Sequence, residues 1–321
     1  MAGDVPPASG PRGGRMSVLP PETARRFLPS VDRLETAMRA ARRSLDRGDL
    51  EGALREDDIA IQLKPEYDAA WLLRGHIFRK DGNIPGAIEA FAHALKINGE
   101  SQEGWLGLAS SLHAVGRYPE EVEAYDRLLQ IQPRSLEAWI DKGAALHDIG
   151  DYRGAIACYD KVLAMRPEHA PAWSNKGAAL LRLGDDAGAA RSFDEALQLD
   201  PDFFDAMANR VLLCRKLKRH GETVLWADRA LRVREAPWLW YVKGQAHLGL
   251  GESTLAMKAF ERALALDPKS KEAKAGLRKA TAARQKGDFY RGVYECFGTH
   301  VAGDPGCEVC EIRGGCRLVT P

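Results

Sequence analysis

A tryptophan stands at Trp71, Trp105, Trp139 and Trp173, each 34 residues after the last. Gly82, Gly116, Gly150 and Gly184 keep the same step, and so do Pro133, Pro167 and Pro201. A period of this length points to stacked copies of one supersecondary unit, because no copy can bury its apolar face alone.

Extending the period outward gives seven units, near 34–67, 68–101, 102–135, 136–169, 170–203, 204–236 and 237–270. Each reads as two helices. In the fourth they are LEAWIDKGAALHDIG and RGAIACYDKVLAMRP. Gly150 falls where a helix needs a left-handed residue just past its end. Asp151 is placed to cap the second helix, and Pro167, with no N–H to donate, ends it. Gly75, Gly143, Gly177 and Gly244 follow the aromatic by four residues, and Ala87, Ala155, Ala189 and Ala256 open the second helix. Helices whose axes lie about 8–10 Å apart need small residues where they cross. Phe91, Tyr125, Tyr159, Phe193 and Phe260 are expected to fill the core together with the tryptophans. Each aromatic side chain of this kind buries about 150–250 Å².

The series Trp173, Gly177, Gly184, Ala189, Phe193, Ala196 and Pro201 resembles the tetratricopeptide repeat family, and its copies span 34–270. The resemblance implies an all-α fold, a right-handed α-solenoid of about seven helix-turn-helix units. Departures mark particular units. The first has Ala37 and Asp57 where aromatics belong, and the third has Ala109 and Glu121 at small positions. The sixth is one residue short and carries Met207, Val211, Lys218 and Thr223 at pattern positions, so a local change of geometry is expected there. Beyond Pro268, KEAKAGLRKATAARQKG reads as a helix that caps the last unit with a polar face. It is strongly basic, with Lys271, Lys274, Arg278, Lys279, Arg284 and Lys286 against Glu272 alone.

The flanks differ from the repeats. Residues 1–30 are rich in Pro, Gly and Arg and are expected to be a disordered leader, with Met1 and Met16 as alternative starts. No run of about 18 apolar residues is present, so no membrane span is expected. No apolar stretch of signal-peptide type opens the chain either. Hydrophobic residues make up 45% and charged ones 28%, a soluble composition. Four of the six cysteines fall in the last 26 residues. That clustering points to a metal site in a reducing compartment, the cytoplasm by default.

Residues 288–321 read as a cysteine-rich module, with Cys296, Cys307, Cys310 and Cys316 spaced C-x10-C-x2-C-x5-C. So short a segment needs a staple, and four thiolates around one zinc ion supply it. An iron–sulfur cluster is the alternative cofactor. The closing C-x2-C-x5-C resembles cluster-binding cysteines at the C-terminus of some RecB-like nucleases, with no nuclease domain beside it here. A closed set of four ligands implies a structural rather than a catalytic metal. His300 reads as a neighbour of that site, not a ligand.

The family resemblance further implies a concave groove lined by the first helices, where partner peptides lie. Its candidate residues are His76, Arg79, His113, His147, Asn175, Asn209, Arg215 and Tyr241. Asn175 and Asn209 match a family position that hydrogen-bonds peptide backbone. Ser174 and Ala178 set no cation beside Asn175, so the carboxylate clamp of chaperone-binding relatives is not met. His113 and His147 share one offset and read as solvated groove histidines, while Cys158 and Cys214 read as small buried hydrophobes.

Charge is segregated: 102–203 carries 10 basic and 17 acidic residues, and 204–287 carries 18 and 8. There is no phosphate loop, catalytic triad or HExxH. The expected function is a non-catalytic scaffold for a partner protein or peptide. Two alternatives stand beside it. One is a nucleic-acid-associated adaptor that uses the basic helix and the cysteines. The other is an iron–sulfur protein with a redox or assembly role. The sequence leaves the oligomeric state open.

Overall fold

The computed structural model describes the backbone of residues 30–298 and the side chains of 32–285. The described residues form fifteen helices and no strand. They fall into two compact units that part after Pro133. The first holds α1 (Ser30–Arg47), α2 (Leu50–Leu63), α3 (Asp68–Asp81), α4 (Ile84–Ile97), α5 (Gln102–Ala114) and α6 (Tyr118–Ile131). The second opens with α7 (Leu136–Asp148), α8 (Tyr152–Met165), α9 (Ala170–Leu183) and α10 (Asp186–Leu199). It continues through α11 (Phe204–Lys216), α12 (His220–Val233), α13 (Pro237–Gly249), α14 (Ser253–Leu266) and α15 (Lys271–Gly298). Within each unit a helix packs on the next, and the first helices of successive pairs also touch. The expected all-α, paired and stacked arrangement is what the chain adopts.

The turns follow from the residues in them. Gly48, Gly82, Gly116, Gly150, Gly184 and Gly251 close the pairs at φ between +73° and +87°, where a Cβ would be strained. Asp49, Asn83, Asp151 and Asp185 then cap the second helices, accepting from backbone N–H groups at 2.8–3.0 Å. Such a cap contributes about 0.5–2 kcal/mol. In the α11–α12 pair the left-handed position falls to Lys218 at φ +55°, and Arg219 provides no side-chain cap. The sixth unit keeps its hairpin with neither device.

The core is narrower than the sequence implied. Phe91 is fully buried, and a Cβ on Gly75 would lie 2.6 Å from its ring. A Cβ on Gly107, from the next pair, would lie 2.5 Å from the other side of that ring. Gly244 and Gly276 clasp Phe260 in the same way, at 2.7 and 2.5 Å. Gly276 lies two residues after Lys274, which stands where a tryptophan would in a further unit. So α15 is in register as one more first helix, and it runs on to Gly298. The sixth unit solves the same packing differently. Val211 and Ala227 occupy the places of Gly177 and Phe193, and both are 0% exposed. Volume lost from one helix is regained on its partner, the kind of exchange that cores tolerate best.

The tryptophans correct one expectation. Trp71, Trp105, Trp139 and Trp173 are half-buried, not central to the core. The indole N–H of Trp71, Trp105 and Trp173 donates to the carbonyl of Pro65, Gly99 and Pro167, each at 2.8 Å. A cation lies over the ring face: Arg74 over Trp71 at 5.4 Å, Lys142 over Trp139 at 5.6 Å and Lys176 over Trp173 at 5.3 Å. Arg74 and Lys176 also reach back to Asp58 and Asp160 of the preceding helix. Trp71 and Trp173 therefore fasten the entry to their own helix and orient the cation that ties it to the helix before, whereas beside Trp105 the cation's place is taken by Leu108.

Candidate partner-binding surface

In the first unit the candidate groove residues are each engaged by a side chain of a neighbouring helix. His76 Nε2 lies 2.8 Å from Glu103 Oε1, and its ring meets Phe91 edge-on at 5.2 Å. Arg79 donates to Ser110 Oγ at 2.8 Å. His113 Nδ1 lies 3.1 Å from Oε2 of the buried Glu121. These side chains tie α3 to α5 and α5 to α6, so a ligand would have to displace them.

The second unit differs. Asn175 on α9 is half-buried, and its amide has no hydrogen-bond partner among the described residues. Asn209 on α11 reaches Ser174 Oγ only at 3.5 Å, a long contact. Arg215, also on α11, is exposed and has no carboxylate partner among the described residues. His147 on α7 has a buried Nε2 with no hydrogen-bond partner among the described residues, and Nδ1 sits 3.7 Å from Asp148. The Tyr241 hydroxyl on α13 accepts from Gln245 Nε2 at 2.6 Å. Small residues share one register place on two of these helices, Ala144 on α7 and Ala178 on α9, while α11 carries Leu212 there. Unsatisfied donors and acceptors suit an extended backbone, which presents an N–H and a carbonyl at each residue.

A second feature escaped the sequence reading. An aspartate on α2, α8, α10 and α12 is paired with a cation on the next first helix, at Asp58–Arg74, Asp160–Lys176, Asp194–Arg210 and Asp228–Lys243. At the junction of α4 and α5 the same two places hold Ala92 and Leu108. A cleft of about 570 Å³ opens there, floored by Ile88, Ala92, Leu108 and Leu112 and edged by Glu120 and Glu123 of α6. The signal was present as a break in the Asp–Lys alternation, which means nothing until the two positions are known to face each other.

No group of three or more His, Cys, Asp or Glu able to hold a metal occurs among the described residues. Cys307, Cys310 and Cys316 lie outside them, and Cys296 falls in the part of α15 whose side chains are not described. Cys158 and Cys214 are buried and form no disulfide among the described residues, and burial pushes Cys214 up to about 11, which keeps it protonated near neutrality. No described helix is long and apolar enough to cross a membrane.

Models of the tetratricopeptide repeat match residues 38–102, 75–135 and 140–203, more than half of the chain, and a second such model matches 237–270. The chain belongs to the tetratricopeptide repeat family. The matches omit 204–236, the unit with Val211, Lys218 and Ala227, although α11 and α12 form an ordinary hairpin there. No curated protein matches this tetratricopeptide repeat chain. Among solved structures it is similar to a tetratricopeptide repeat protein from Parabacteroides merdae, with a TM-score of 0.59 and 19% identity. That match covers 77% of this chain and 98% of the other. Pseudomonas aeruginosa PilF gives a TM-score of 0.54 and 17% identity over 66% of this chain and 97% of the other. YrrB, a TPR protein with an unusual peptide-binding site, gives 0.50 and 22% over 54% of this chain and 89% of the other. At these identities the likeness concerns the fold.

Proposed function

We propose that this repeat protein is a non-catalytic scaffold that binds an extended segment of a partner protein along α9 and α11. Tetratricopeptide repeats bind proteins and peptides. What carries the placement on this chain is the unpartnered amide of Asn175 beside the weakly held Asn209, with Arg215 free of any described carboxylate. The first unit's candidates are already held, His76 by Glu103, Arg79 by Ser110 and His113 by Glu121. A buried or half-buried amide left unsatisfied costs free energy that a bound backbone would recover.

A second reading rests on α15. Lys271, Lys274, Arg278 and Lys279 are exposed on it and form no ion pair among the described residues. Such a stripe suits a polyanion, whose binding would weaken steeply with salt. One experiment separates the two readings. Peptides enriched from a displayed random library against the full chain are titrated by fluorescence anisotropy, alongside a generic DNA duplex. The scaffold reading expects peptide affinity to fall about tenfold or more, roughly one amide–backbone bond per asparagine, in Asn175→Ala/Asn209→Ala. It expects Lys274→Glu/Arg278→Glu to leave that affinity unchanged. Salt-sensitive duplex binding lost only in the second pair, with no enriched peptide, would favour the polyanion.

The tail cysteines Cys296, Cys307, Cys310 and Cys316 are proposed to hold a structural zinc ion, with an iron–sulfur cluster as the alternative. Their support is spacing and chemistry: four thiolates close a tetrahedral site without an open position. Cys310→Ser should abolish stoichiometric metal measured by elemental analysis, while leaving helical circular dichroism near wild type. Full retention of metal would remove Cys310 from the set. Visible absorbance in anaerobically purified protein would replace zinc by the cluster.

A further inference from the structure

In five of the repeats the second helix places a ring at one register position: Phe91, Tyr125, Tyr159, Phe193 and Phe260, none more than 3% exposed. On α2 that position is Asp57, and it is 0% exposed. Its surroundings are apolar, with Ala37, Met38 and Ala41 from α1 and Ala70, Leu73 and Ile77 from α3 in the same core. One carboxylate oxygen, Oδ2, accepts from Arg74 Nε at 2.8 Å, and Oδ1 has no hydrogen-bond partner among the described residues. Arg74 is shared, since its other nitrogen is held by the exposed Asp58. One guanidinium thus serves two carboxylates, one in water and one in the core. An ionised carboxylate in that core lacks the full set of hydrogen bonds that would offset its lost hydration, whereas a neutral carboxyl loses far less.

We propose that the α1–α2 hairpin is seated on α3 through a proton-gated contact at Asp57: it packs closely when Asp57 is neutral and opens more readily when Asp57 is ionised. Opening uncovers Leu73 and Ile77 on α3, so the gate controls access to the apolar face of the first unit. The charged groups acting on Asp57 are Arg74 from α3 and Asp58 from its own helix. From α1, Ala37, Met38 and Ala41 line this core, and no charged group of α1 is among those acting on Asp57. Burial has the largest effect and pushes the carboxyl up to about 6; the Arg74 hydrogen bond and charge pull it down, and Asp58 pushes it up. The folded value lies above the ordinary 3.8, so the closed hairpin binds its proton more tightly than the open one. The stability this group contributes is therefore full below about 3.8 and is lost as pH rises through about 6.

Hydrogen exchange of the full chain at pH 5.0 and 7.5, corrected for the intrinsic rate, tests the gate. Amides of α1 and α2 should open roughly tenfold more often at the higher pH, as linkage between the two values requires. Those of α13 and α14, whose hairpin carries its own His247–Glu252 pair, should respond alike in wild type and Asp57→Asn. Asp57→Asn should bring the α1–α2 ratio close to one. Equal protection of the wild-type hairpin at both pH values would overturn the proposal, and so would a tenfold ratio that survives in Asp57→Asn. Should Asp57→Asn leave the hairpin unprotected at either pH, Asp58→Asn decides. It gives Arg74 wholly to Asp57 and should shrink the ratio, and an unchanged ratio would count against the gate.

Discussion

Phe91→Ala is expected to lower the stability of the α1–α6 unit by about 3–5 kcal/mol, read as a shift in denaturant midpoint. The ring is 0% exposed and lies between Gly75 and Gly107, which belong to consecutive first helices. Removing it leaves a void that backbone must collapse to fill, and two helices packed at glycine contact distance have no side chains there to move in. The loss should therefore fall at the upper part of the range. Trp71→Ala is the informative control. Trp71 is half-buried and its indole lies at the helix entry, so less apolar area returns to water and the midpoint should move less. A larger loss for Trp71 than for Phe91 would show that the core has been placed on the wrong residue.

Gly177→Val tests the complementary failure, too much volume instead of too little. A Cβ at Gly177 would stand 2.6 Å from Phe193 Cε1, far inside van der Waals contact, and the ring is itself 0% exposed. Overpacking of this kind typically costs about 1–3 kcal/mol and occasionally more. The sixth repeat of the same chain shows how the cost can be relieved. Val211 and Ala227 stand at those two positions, each fully buried. Gly177→Val/Phe193→Ala should therefore be more stable than the sum of its single variants by about 0.5–3 kcal/mol, the range seen for residues in contact. Strict additivity in that cycle would mean that Val211 and Ala227 do not compensate each other.

Much of the molecule was legible from its 34-residue step. Helix pairing, the left-handed glycines and the Asp151 cap all come from local chemistry, and local chemistry is what a repeated sequence displays. The site was less legible. Asn175 and Arg215 could be assigned to one surface from register alone, but their lack of partners among the described residues, and the engagement of His76, Arg79 and His113 by Glu103, Ser110 and Glu121, could not. Hydrogen bonds between neighbouring first helices depend on side-chain reach across a gap, and the period does not specify that distance.

The same distinction separates Gly75 from Gly107. Gly75 repeats four residues after a tryptophan, and its role could be read from its own unit. Gly107 has counterparts at Asn175 and Asn209, so no small-residue pattern marks it, yet it closes the second face of Phe91. Asp57 carries the contrast furthest. The sequence shows an acid where its neighbours place a ring, and that is all it can show. That the acid is fully buried, that Arg74 divides itself between Asp57 and Asp58, and that one oxygen has no hydrogen-bond partner among the described residues depend on how α1, α2 and α3 oppose one another. Sequence by itself determined the repeating unit, because each unit's turns and caps are satisfied by residues a few positions away. Tertiary structure decided which groups are buried and which are left unpartnered, because those depend on helices brought together from different units.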